Sequence, residues 1–102
     1  MTMTSKERAT LRSEAHHLVA AVHVGHHGLT PAVLATVDDA LRTRELVKVQ
    51  LPKSADETPR VAANHLAEAT SAEVVQVIGR TCTLYRWNPD LPRKSGTPPW
   101  RN

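Results

Sequence analysis

Thr30-Pro31 and Thr58-Pro59 each head an apolar stripe with helical spacing, and these two starts constrain the fold more than any other feature of the chain. A threonine hydroxyl accepts a backbone N–H from the first turn, and proline at the first helical position gives up an N–H that would have had no partner. After Pro31, the residues Val33, Leu34, Val37 and Leu41 form one buried stripe, with Asp38 and Arg42 paired at i, i+4 on the wet side. That helix is expected to end near Arg44. After Pro59, the residues Val61, Ala62, Leu66 and Ala69 supply the face of a helix expected over residues 59–69. Thr4 with Glu7 three positions later reads as a capping box, and Leu11, Ala15 and Leu18 share a face, so the spacing predicts another helix over residues 5–17.

Between these helices lie β-branched runs. Residues 19–24 are apolar and short enough for a buried strand, and residues 45–51 alternate, with Val47, Val49 and Leu51 on one face and Leu46, Lys48 and Gln50 on the other. Two further strands are expected at residues 73–78 and 81–85, joined by Gly79-Arg80, where glycine in the first central position signals a type II′ hairpin turn. The order is α-β-α-β-α-β-β. Strands separated by helices favour parallel pairing and the terminal hairpin is antiparallel, so the chain is expected to be an α/β (α+β) domain with a four-stranded mixed sheet and helices packed on it.

The connection from the first strand into the second helix is Gly25-His26-His27-Gly28. Two glycines around two polar residues let another backbone come close, because neither has a Cβ and both can take positive φ. The following helix adds unpaired N–H groups and the positive end of its dipole, so a phosphate is favoured there. A Gly-x-x-Gly loop clamps nucleotides in one class of RNA modules, although such glycines also serve as plain turn formers. The 102 residues form one domain with 13 Lys and Arg against 10 Asp and Glu, a formal charge of +3 and a pI near 9.5, a mild bias toward polyanions. One cysteine, Cys82, excludes a disulfide framework and fits a reducing cytoplasm, and no run is long enough to span a membrane.

Four segments, Leu-Arg-Ser-Glu-Ala-His-His-Leu from Leu11, Val-Gly-His-His-Gly-Leu-Thr from Val24, Arg-Glu-Leu-Val-Lys-Val from Arg44 and Val-Gln-Val-Ile-Gly-Arg-Thr-Cys-Thr-Leu-Tyr-Arg from Val75, resemble the CRM domain in both order and separation. This is the chloroplast RNA splicing and ribosome maturation module, and the likeness is to its stand-alone bacterial, YhbY-like form. The resemblance covers residues 5–87. It implies a fold similar to the C-terminal domain of translation initiation factor three, no catalytic activity, and association with ribosomal RNA in precursors of the large subunit. Family loops usually carry a basic or amide residue between the glycines, whereas both positions here are histidine, which makes the clamp sensitive to pH.

The expected RNA-binding residues are Gly25, His26, His27 and Gly28 in the loop, with Lys48, Arg80 and Arg86 sharing its surface and Arg12, Arg42 and Arg44 further out. Such contacts read backbone and shape rather than sequence, since aromatics make up only 3% of the chain and cannot build a stacking platform. Residues 4–87 are the expected RNA-binding domain. Residues 88–102, with four prolines plus Arg93, Lys94, Trp100 and Arg101, are expected to be a disordered basic tail, either an ordinary terminus or a loose RNA contact. Other readings are a protein-interaction adaptor or a metal centre built from His16, His17, His23, His26, His27 and His65. Their spacing places no His-x-x-x-His pair on a helix, and no metal or cofactor is expected. Nor does any Ser-His-Asp or Cys-His signature suggest catalysis. The chain is thus expected to be a monomeric cytoplasmic RNA-binding protein without enzymatic activity.

Overall fold

A computed structural model describes residues 3–53, 57–91 and 98–101. Its elements run α1 (Ser5–Ala15), β1 (Val22–His23), α2 (Pro31–Arg44), β2 (Leu46–Gln50), α3 (Pro59–Thr70), β3 (Glu73–Ile78) and β4 (Thr81–Tyr85), followed by a short 3₁₀ turn at Pro99–Arg101. The caps are those the spacing predicts. Thr30 and Thr58 accept from the amides of Val33 and Val61, and Thr4 and Glu7 close a reciprocal capping box. The strands form one mixed sheet in the order β1-β2-β4-β3, with β1 parallel to β2 and the other pairs antiparallel. Gly79 has φ +57 while Arg80 stays at negative φ, the combination that distinguishes a type II′ turn from type I′.

Helices α2 and α3 cover one face of this sheet, where Val37, Leu41, Ala63 and Leu66 meet Val47, Val49, Cys82 and Leu84. Helix α1 covers part of the other face through Leu11 against Leu46 and Val75. A bulge between Val74 and Gln76 explains how β3 serves both layers: it puts Val74 and Val77 on the α2–α3 face while Val75 turns to α1. The Arg8 guanidinium donates to the Val74 carbonyl at that irregularity. Cys82 is fully buried, and desolvation pushes its thiol up to about 12, so it packs as a small apolar side chain and supplies no thiolate.

Four local expectations are corrected. Only Val22–His23 of the first apolar run pair as strand, because α1 stops at Ala15 and the chain needs residues 16–21 to reach the sheet edge. Glu45 does not begin β2. Instead it turns the chain out of α2 at φ 67, and its carboxylate is buried. Asp38 does not pair with Arg42: Arg42 reaches Asp39, and Asp38 holds Arg86 at 2.6 Å. Within the last segment, Pro99–Arg101 form a helical turn, and Trp100 packs edge-on to Tyr85 with its Nε1 donating to Glu14 at 3.0 Å. Arg93 and Lys94 lie outside the described residues.

Candidate nucleic-acid interface

Because β1 and β2 run parallel as neighbours, both deliver the chain to the same end of the sheet, and the connections that follow them meet there. Ligands of sheets crossed over by helices collect outside the carboxyl ends of parallel strands for this reason. From β1 the chain enters residues 25–28, pinned at the start by Val24 N–H donating to Gln50 O at 2.9 Å. Gly28 N–H donates back to Gly25 O at 3.0 Å, closing a tight bend, and Thr30 N–H donates to Gly28 O before Thr30 caps α2. The amides of Gly25, His26, His27 and Leu29 make no hydrogen bond among the described residues. Gly25, His26 and His27 are exposed, and the two imidazoles lie 4.1 Å apart at a tilt of 39°.

The glycines differ in what the fold asks of them. Gly28 sits at φ +77, a conformation that disfavours a side chain, so it is needed by the bend itself. Gly25 does not take positive φ, and a Cβ there would meet nothing within 4 Å. Among the described residues, nothing requires glycine at 25.

Helices α2 and α3 both begin at this end, and neither carries an acidic residue in its first turn, so the positive ends of their dipoles face outward uncompensated by their own side chains. Leu51 N–H donates to Arg80 O at 2.7 Å and Arg80 Nη1 to Pro52 O at 3.0 Å, stitching the hairpin turn to the β2–α3 connection with Arg80 exposed. Lys53 and Arg60 are exposed on that connection and on the first turn of α3. Sequence spacing alone did not single them out, because their proximity to the loop depends on the parallel pairing.

Lys48 and Arg86 part company. Lys48 lies one residue pair inward from Gln50 on the same sheet face, half-buried, with Nζ donating to Leu18 O at 3.2 Å. Arg86 is at the opposite end of β4, where it donates to Asp38 Oδ1 and Thr70 O at 2.6 Å and to Asp38 O at 3.0 Å. The structure does not bring it to the loop. Arg42 and Arg44 close α2 at that far end as well, and Arg12 is on α1. A further row, polar except for Ile78, was missed: register aligns His23, Gln50, Thr81 and Ile78 across all four strands beside the loop, three of them exposed and Thr81 half-buried. Its signal was present in the alternation, since each polar member follows or precedes a core residue of its strand.

Among the described residues, no group of three His, Cys, Asp or Glu is placed to hold a metal ion, and no helix is long and apolar enough to cross a membrane.

The family model for the CRS1/YhbY (CRM) domain matches residues 3–86. The chain belongs to the CRM family. This CRM chain is 38% identical over 97 residues to an "RNA-binding protein" of Haemophilus influenzae, covering 91% of the chain and 98% of that relative. It is 34% identical over 84 residues to the "Probable RNA-binding protein YqeI" of Bacillus subtilis, covering 82% and 88%. The solution structure of SAV1595 from Staphylococcus aureus, described there as a candidate RNA-binding protein, superposes with a TM-score of 0.76 at 34% identity, covering 87% of this CRM domain and 93% of that chain.

Proposed function

We propose that this CRM protein binds RNA through the sheet end that carries residues 25–28, with ribosomal RNA of precursor large subunits as its target and no chemistry of its own. The observation that carries the reading is Gly25: an exposed position without side chain that neither backbone conformation nor packing demands, next to amides with no partner among the described residues. Ribose-phosphate backbone can lie against such a bend and accept from those amides, while Arg80, Lys53 and Arg60 supply the neighbouring positive charge. The relatives' names point to the same ligand. Lys48 would act from the flank, steering rather than clamping. The protein acts as a cytoplasmic monomer in this reading.

The test is Gly25→Asp, which adds a negative charge and a Cβ where the fold has room for both. Affinity for fragments of large-subunit RNA should drop at least about tenfold with the thermal midpoint unchanged, and equal binding would move the contact elsewhere. Arg80→Ala should flatten the log-log salt dependence by about 0.7, the share of one phosphate on a single strand. Co-sedimentation with ribosomal particles that survives ribonuclease would favour protein contacts instead.

A further inference from the structure

At the end of the sheet opposite the loop, a groove of about 750 Å³ is lined by Met3, Glu7, Ser71, Glu73, Tyr85 and Trp87, with Arg86 also at its wall. Its electrostatics are the reverse of the loop end. Helix α3 stops there, with Thr70 as its last residue and Ser71 as a left-handed cap, and no basic side chain occupies its last turn. The Thr70 carbonyl at that end is capped instead by the Arg86 guanidinium, which leaves the carboxylates of the wall as its free charges. Glu73 is half-buried, and its carboxylate makes no ion pair or hydrogen bond among the described residues. Glu7 is exposed at the rim, while the Arg86 cation is already held by Asp38 and the Thr70 carbonyl.

Trp87 completes the wall and is 53% exposed. This exposure is not that of a loose end. The residues on either side are pinned to one partner: Arg86 N–H donates to Glu45 O at 2.9 Å and Asn88 N–H to Glu45 Oε2 at 2.8 Å. A backbone clamped on both sides of Trp87 holds its Cα in place at the groove, so only the side-chain torsions are left to be ordered on binding.

We infer that this groove is a docking site for an extended, arginine- or lysine-bearing segment of a partner protein, its cation seated over Trp87 and between Glu7 and Glu73. Carboxylates and an aromatic face each favour a cation, and the carboxylates repel the RNA backbone that the other end attracts. A groove of this size holds a few side chains of an extended chain rather than a folded face. The inference does not rest on the RNA reading.

A fluorescently labelled octa-arginine peptide is the probe, with anisotropy as the readout. The parent should bind it, Glu73→Gln should weaken binding about threefold and Trp87→Ala about threefold to fivefold, and Gly25→Asp should leave it unchanged. RNA affinity should stay level in both groove variants. Absence of peptide binding, equal binding by all variants, or loss of binding in Gly25→Asp would each overturn the proposal. So would a fall in RNA affinity in Trp87→Ala or Glu73→Gln, which would make the groove an RNA surface. Parent self-association abolished by Glu73→Gln would also overturn it by making a second copy the occupant. Glu73→Gln keeps size and shape, so its result stands should Trp87→Ala fail to fold.

Discussion

At the loop end of the sheet, backbone amides and a guanidinium are left over; at the far end the arginine and the buried glutamate that join the helices to β4 are consumed. The amides of residues 25–27 have no internal partner among the described residues, and Arg80 spends one of its donors on Pro52 O while remaining exposed. At the other end the Glu45 carboxylate is buried and accepts from Asn88 N–H, Asn88 Nδ2 donates to Arg42 O, and Arg86 ties β4 to both α2 and α3. Cations occur at both ends. Their hydrogen-bonding state is what sets the proposed RNA surface apart from a structural joint, because a guanidinium already surrounded by a carboxylate and a carbonyl has little left to offer a phosphate.

The hardest test of that division is Arg86→Ala. Its side chain is 23% exposed, and its removal strands the carbonyl of the buried Thr70 at the α2–α3 joint, while the half-exposed Asp38 carboxylate turns to water. Charged hydrogen bonds of this kind are worth about 2 kcal/mol or more, so the urea midpoint should fall by that equivalent, while RNA affinity of the folded protein holds within about twofold. Lost affinity at unchanged stability would mean that the far end is the interface. At the loop end the glycines split the same question. Gly28→Ala should cost about 1 kcal/mol because of its φ of +77, whereas Gly25→Ala should be neutral in stability to within about 0.5 kcal/mol and still weaken RNA binding.

These contrasts also show what a sequence can disclose. The three helix starts were legible because each is a local transaction: a hydroxyl within three residues of the amide it caps, followed in two cases by a proline that needs no partner. The terminal hairpin was legible for the same reason, Gly79 carrying the turn by itself. What escaped depends on pairing across the chain. Asp38 finds Arg86 at a separation of 48 residues rather than Arg42 at four, and that choice removes an arginine from the expected site. The loop glycines were visible as a motif, but which of them the bend needs became clear only from φ and the space around each Cβ. Lys53 and Arg60 enter only once β1 and β2 are known to be parallel neighbours. Trp100 reads as part of a proline-rich tail until Tyr85 and Glu14 are seen to receive it.

Histidine in place of a basic residue between the loop glycines makes a smaller, conditional prediction. Both side chains are exposed at the bend, where a ligand lying against it would meet them. RNA affinity should fall by a few fold in the variant carrying both His26→Ala and His27→Ala. Equal affinity would assign the loop's contribution to its amides alone.

The smallest expected effect lies at the far end, in the capping box of α1. Glu7 Oε1 accepts the Thr4 N–H at 3.1 Å, and this bond, followed by the Thr4 hydroxyl contact, holds the Glu7 carboxyl below its ordinary value of 4.5. A carboxyl lowered in the folded state stabilises that state wherever both forms are ionised, so the contribution is complete above about pH 4.5 and disappears as pH falls through the lower folded value. Glu7→Gln keeps an acceptor for Thr4 and loses the charge at the helix N-terminus. Urea midpoints of parent and variant should differ slightly at pH 7 and converge at pH 3, with RNA binding at pH 7 identical in the two. A gap that persists at pH 3 would show that shape rather than ionisation carries the cap, and a change in RNA affinity would show that a charge at the far end is felt at the loop.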